Sequence, residues 1–434
     1  MKNRSLQIRL IVMNFLEFAV WGSYLTCMGG YLATHGLAGD IGWFYAVQGI
    51  VSLFMPALLG IVADRWIQAQ KVLSLAHVIA GVFMLIAGAY AMSAGDTPSF
   101  WPLFLPYPIS VAFFMPTIGL ANSVAFNALT KAGMDTVKAF PPIRVFGTIG
   151  FICAMLTVDF TGLQHNYGQF FMSGGFSILL AIYALFMPKC PVNKNAESSS
   201  LVDVFGLRAF ALFKQKKMAI FFIFSMLLGV SLQITNGFAN PFLTAFEGIK
   251  EYADTFAAQH ANALISLSQI SETLCILLIP FCMKRFGIKN VMLIAMFAWV
   301  FRFGFFGLGN PGMPGVILFV LSCVVYGVAF DFFNISGALY VDQQTDESIR
   351  SSAQGLFMVM TNGIGATIGT LSAQAIVDHF VNAESVVAAG PSAVMGGWAT
   401  SWYIFAAYAL VVAVSFFFIF KDPRKEEAEK LKTA

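Results

Sequence analysis

Between Gly315 and Tyr340 the chain reads GVILFVLSCVVYGVAFDFFNISGALY, an unbroken apolar run with one charge in it, Asp331. A run of more than about 20 apolar residues reads as a helix that crosses a membrane. A carboxylate near the middle of a bilayer costs at least about 2.5–3.5 kcal/mol on insertion scales. Helix formation does not require that cost, so the acid points to an internal cavity, an ion relay or a substrate site. Glu17, Arg144, Glu272 and Arg302 also lie in apolar stretches. The protein is expected to be an all-α membrane protein with a polar interior.

Composition agrees. The 434 residues are 58% hydrophobic and 11% charged, with 46 Phe, whereas soluble domains carry about 25% charged residues. A net charge of +3 is no footprint for nucleic acid. Six cysteines, at 27, 153, 190, 275, 282 and 323, are scattered without metal spacing and read as small apolar filler. The five histidines (His35, His77, His165, His260, His379) lie in or near loops or as singles. With no metal spacing, nucleophile elbow or phosphate loop, neither an enzyme nor a cofactor is expected. Lys2, Arg4 and Arg9 precede an apolar run that holds Glu17 and Trp21 and lacks a clear cleavage site; it reads as a retained first span.

Twelve segments are long and apolar enough to span: 10–32, 41–63, 72–93, 100–128, 143–163, 167–188, 218–244, 261–283, 290–309, 314–340, 352–379 and 400–420. With Lys/Arg-rich loops inside, an even count puts both termini in the cytoplasm. Only Lys250, in an outer loop, and Arg302, within a span, then escape the cytoplasmic side. The longest inner connection starts polar and ends LVDVFGLRAFALFKQKK, as expected for a helix lying on the membrane surface. The expected organisation is a six-helix half over 1–188, a cytoplasmic linker over 189–217, a second six-helix half over 218–420 and a cytoplasmic tail over 421–434.

The loop after the second span, GIVADRWIQAQK (60–71), has a counterpart after the eighth, CMKRFGIKN (282–290). Such repeated halves characterise transporters whose substrate site lies between them. Gly60-Ile-Val-Ala-Asp64-Arg65 resembles the loop motif of the major facilitator superfamily. The stretches FMPALLGIVAD (54–64), FPPIRVFGTIGF (140–151), MAIFFIFSMLLG (218–229), LQITN (232–236), SQISET (268–273), RFGIKNVM (285–292), YGVAFDFFNISG (326–337) and AQGLFMVMTNG (353–363) resemble, in order along nearly the whole chain, the bacterial nucleoside:proton symporters of that superfamily.

Helical spacing gathers the polar residues onto faces. Arg144, Thr148 and Phe151 share one face of span 5, and Gln233, Asn236 and Asn240 one face of span 7. Gln269 and Glu272 are a turn apart on span 8. Tyr326, Phe330 and Asn334 line span 10 beside Asp331. A nucleoside suits such a lining, because its base has a flat face for aromatics and an edge for amides. The resemblance implies that Arg144, Thr148, Phe151, Gln233, Asn236, Gln269, Glu272, Tyr326 and Phe330 contact substrate. Spacing does not say which reads base and which ribose. Asp64 and Arg65 read as a gating-loop pair. The glycines Gly363, Gly365 and Gly369 read as close helix packing.

The core acids Glu17, Glu272 and Asp331 outnumber the arginines Arg144 and Arg302, leaving one carboxylate to bind a proton. Asp331 and Glu272 are the first candidates for proton coupling. Glu17 stands where the resemblance implies glutamine, and it reads either as an additional titratable group or as a neutral mimic of that amide. The expected function is proton-driven uptake of nucleosides such as uridine and adenosine across a bacterial inner membrane, by alternating access and as a monomer. Carriage of a sugar or nucleobase by the same fold, or a channel, are the alternatives.

Overall fold

The computed structural model describes residues 2–192, 207–346 and 349–421. The tail over 422–434 and the linker over 193–206 lie outside them. Among the described residues the chain is helical and has no strand. This is what a bilayer demands, since a helix satisfies its own backbone groups where no water can.

The first apolar run forms α1 (Lys2–Gly22), which loosens into turns before α2 (Met28–Thr34). The second forms a bent pair, α3 (Ile41–Ser52) and α4 (Met55–Arg65), with 41° between the two arms. Pro56 opens α4 in its first turn, where its missing N–H costs nothing. There follow α5 (Ala69–Ala94), α6 (Phe100–Phe104), α7 (Pro106–Lys131), α8 (Thr136–Phe160) and α9 (Gly168–Ala184). Beyond the linker come α10 (Lys216–Leu232), α11 (Ile234–Thr244), α12 (Ala261–Phe286), α13 (Ile288–Leu308) and α14 (Val316–Gln344). The next run is α15 (Arg350–Met358), a π-helical segment over Val359–Gly365 and α16 (Ala366–Phe380), and α17 (Pro391–Ile419) closes the described chain.

Among the described residues nine stretches are individually long and apolar enough to cross a membrane, or ten with the bent pair. The first and sixth expected spans are helical but fall short of that test. The first carries Lys2, Arg4, Arg9 and Glu17 within α1, and α9 has only 17 residues. The last span begins earlier than its hydropathy predicts, at Pro391 rather than near 400, because Pro391 caps a helix whose first turns are small and weakly apolar. The surface helix expected in the linker is seen only in its last part, as a 3-10 segment over Leu207–Lys214.

The chain divides into two compact units. The first holds Met1–Val204 and takes in Asn236–Pro241 from α11; the second holds Phe205–Thr235 and Phe242–Ala434. In the first unit α1 crosses α8 at glycine contacts. A Cβ on Gly22 would lie 2.4 Å from the Phe151 carbonyl oxygen, and one on Gly150 would lie 2.2 Å from that of Phe15. The second unit uses the same device where α10 meets the π-helical segment and α16. There the Cβ positions of Gly229 and Gly369 would lie 2.3 Å from the Thr361 oxygen and 2.0 Å from the Val230 oxygen. Each half thus joins its first span to its fifth backbone against backbone. That is the small-residue packing expected where lipid offers helices no hydrophobic drive to associate.

Candidate functional site

In the first unit, Arg144, Thr148 and Phe151 lie along α8. The Pro141-Pro142 pair inside that helix removes two backbone donors just ahead of Arg144. The guanidinium of Arg144 stacks 4.0 Å from the ring centre of Phe18 on α1. Gly147 leaves room for both, since a Cβ there would meet the Phe18 ring at 2.7 Å and Arg144 at 2.9 Å. Phe151 is buried and meets Trp21 edge-on at 6.1 Å, and Trp21 in turn packs on Phe114. Arg144 and Thr148 remain partly exposed. The expected face of span 5 is therefore present, with α1 supporting it from the side.

The amide face of span 7 is not one continuous helix. The α-helix ends at Leu232 and restarts at Ile234, with Gln233 between. Gln233 and Asn236 are both half-buried, whereas Asn240 is buried and its amide reaches the Gln164 side chain at 3.4 Å. Asn240 thus ties α11 to the turn after α8, inside the first unit.

The second unit gathers the C-terminal candidates. Gly327 on α14 rests on the backbone of α12, where a Cβ would lie 2.5 Å from the Ser271 oxygen and 2.7 Å from the Glu272 nitrogen. This contact sets Tyr326, one residue before it, at the level of Glu272. Tyr326 has Glu272, Arg302 and Asp331 as its charged neighbours. It also stacks on Phe330, with the rings 5.6 Å apart and within 16° of parallel. Asp331 is buried at 5% exposure, while Gln269, Glu272 and Phe330 stay partly open.

Arg302 on α13 is buried behind this group. Its guanidinium donates to the Ser322 carbonyl at 2.8 Å and to the Ser268 hydroxyl at 3.2 Å, and sits 4.5 Å from the centre of the Tyr326 ring. No carboxylate of the described residues lies within ion-pair distance of it. A carbonyl, a hydroxyl and an aromatic face take the place of the expected acid, each a favourable partner for a buried cation. Asp64 is exposed near the end of α4, and Arg65 is the last residue of that helix.

The charge balance read from the sequence is corrected at Glu17. His77, counted there as an isolated histidine, lies inside α5 with no exposed surface, and its Nε2 is 2.9 Å from a Glu17 carboxyl oxygen. The rule that singled out Asp331, a polar group in an apolar span, applied equally to His77 in the run 72–93.

Comparison with known proteins identifies the family. A family model described as "Nucleoside H+ symporter" matches residues 4–425. The chain is 47% identical to a xanthosine permease of Escherichia coli over 428 residues, covering 97% of this chain and 98% of the permease. It is 44% identical to the nucleoside permease NupG of the same organism, covering 96% of each. Its fold matches a crystal structure of the nucleoside transporter NupG with a TM-score of 0.86, over 96% of this chain and 99% of that one.

Proposed function

Because this chain belongs to the nucleoside H+ symporter family, we propose that it takes up nucleosides together with protons by alternating access. The full-length match to that family carries the reading, and the polar groups within each unit supply the chemistry for it. The base stacks on Phe330 and Phe151 and is read at its edge by Gln233 and Asn236. Glu272 accepts from the ribose hydroxyls, and Arg144, Thr148, Gln269 and Tyr326 complete the lining. Asp331 and Glu272 are the carboxylates through which the proton is coupled, and Asp64 with Arg65 gates the inner loop. The protein works as a monomer in a bacterial inner membrane with both termini in the cytoplasm.

The proton supplies the drive. One charge moving through 100 mV yields about 2.3 kcal/mol. About 200 mV would therefore sustain roughly a 10³-fold gradient at one proton per substrate.

Competition against labelled uridine in acid-outside proteoliposomes tests the substrate class. Adenosine and other nucleosides are expected to displace uridine, and hexoses and free nucleobases are expected to leave it bound. Equal displacement by a hexose or by free uracil would move the reading to another substrate. The stacking role has its own signature. Phe330 is partly open with Tyr326 stacked beneath it, and base–aromatic stacking is worth about 1–3 kcal/mol. Phe330→Ala should raise the uridine KM by about 10-fold, the middle of that range, with less effect on kcat.

A further inference from the structure

Glu17, His77, Thr117 and Ser177 come from α1, α5, α7 and α9 and meet where none is more than 1% exposed. Their contacts form a chain. His77 Nδ1 is 2.9 Å from Ser177 Oγ, and Ser177 Oγ is 2.9 Å from the His77 carbonyl oxygen. On the other side of the ring, His77 Nε2 is 2.9 Å from Glu17 Oε2, and Thr117 Oγ1 is 2.6 Å from Glu17 Oε1 and 2.5 Å from the Phe114 carbonyl oxygen.

Counting protons along this chain leaves little choice. Ser177 has one hydroxyl proton, and the carbonyl, which can only accept, takes it. Ser177 Oγ then accepts from Nδ1–H. Between Nε2 and Oε2 there must be one further proton, because two lone pairs do not approach to 2.9 Å without one. It sits either on the imidazole, beside a carboxylate, or on the carboxyl group, beside a neutral imidazole. With Thr117 donating to Oε1 the pair is net neutral both ways; donation to the Phe114 carbonyl instead would require a second proton on Oε1 and a net positive charge, which burial disfavours. Removing that proton would leave a lone negative charge in a sealed site, which is strongly unfavourable.

The helix around Glu17 is also the one that supports the substrate face. Residue 18 carries Arg144 on its ring, Trp21 backs Phe151, and Gly22 touches the Phe151 backbone. Of the helices packed on α1, α5 brings the His77 ring, α7 and α9 bring the hydroxyls of Thr117 and Ser177, and α8 brings the Arg144 charge. We infer that Glu17 and His77 form a proton-sharing, charge-neutral clamp that joins four helices and so positions α1 against the Arg144–Phe151 face of α8. Glu17 is then a positioning residue rather than a proton-coupling one. The inference rests on the transport reading for its kinetic test, and a stability measurement checks it separately.

Three proteins are compared: unmodified, Glu17→Gln and Glu17→Leu. A glutamine amide can donate to His77 Nε2 and accept from Thr117, repeating the neutral pattern. Glu17→Gln should therefore melt with the unmodified protein in detergent, accumulate uridine to within about 2-fold of it and keep its pH profile, a 2-fold change being well under the tenfold that 1.4 kcal/mol represents. Glu17→Leu leaves the imidazole facing no partner. It should melt about 5 °C lower and raise the uridine KM about 5-fold, with kcat changed less. Loss of accumulation in Glu17→Gln, with uridine exchange retained, would make Glu17 a coupling group and overturn the inference. Glu17→Leu matching the unmodified protein in both melting and KM would overturn it as well. The melting comparison stands whether or not uridine proves to be the cargo.

Discussion

Asp331→Asn is expected to reduce steady-state uridine accumulation from roughly 10³-fold, the ratio that about 200 mV would support, to near unity. The same variant is expected to keep exchanging labelled for unlabelled uridine across the membrane. Asp331 lies in α14 at 5% exposure, one residue after the ring that stacks on Tyr326, with Glu272 and Arg302 in the same neighbourhood. A carboxylate in so enclosed a place is costly when ionised. Proton occupancy there can therefore be linked to which state of the carrier is favoured. Asparagine keeps the shape and hydrogen-bonding capacity of the protonated form and cannot release a proton. Substrate would then move only down its own gradient. Accumulation by Asp331→Asn at the unmodified level would transfer the coupling role to Glu272, where Glu272→Gln is the corresponding variant.

The second large effect concerns the scaffold. Gly369→Val should give a transporter that reaches the membrane in low yield and, when purified, melts about 10 °C or more below the unmodified protein. A Cβ at Gly369 would lie 2.0 Å from the Val230 carbonyl oxygen and 2.5 Å from the Val230 Cα. These are backbone atoms of the facing helix, so no side-chain rotation relieves the overlap. Gly229 and Gly365 make the same kind of contact along this crossing, with the Thr361 and Met226 oxygens. The helices cannot separate at one point without losing the others. Gly304→Ala is the control: nothing lies within 4 Å of its Cβ position, and its melting should be unchanged.

The all-helical frame of this molecule was legible in its sequence because apolar length is a property of single segments. The same holds for the helical faces carrying Arg144 with Phe151 and Tyr326 with Phe330. The close packing read from Gly365 and Gly369 is present as well. What local pattern could not show is where a face is interrupted or whom a residue meets across the bundle. Span 7 runs as one stretch over Lys216–Gly248, with a one-residue turn at Gln233 that its apolar pattern does not announce. The bend between Ser52 and Met55 had a signal in Pro56. The partnership of Glu17 with His77 joins residues 60 positions apart, and Arg302 is held by a serine carbonyl, a hydroxyl and a ring rather than by an acid. Counting acids against arginines therefore left out the imidazole that meets Glu17.

The most direct test of proton-coupled nucleoside transport is proton movement driven by substrate alone. Purified protein in lightly buffered proteoliposomes, with no imposed pH or voltage gradient, is given uridine on the outside while external pH is followed. The account predicts that the medium turns alkaline as uridine enters, in a fixed ratio of protons to uridine. It also predicts that Asp331→Asn takes up uridine with no pH change. Uridine entry through the unmodified protein with no accompanying proton movement would contradict it.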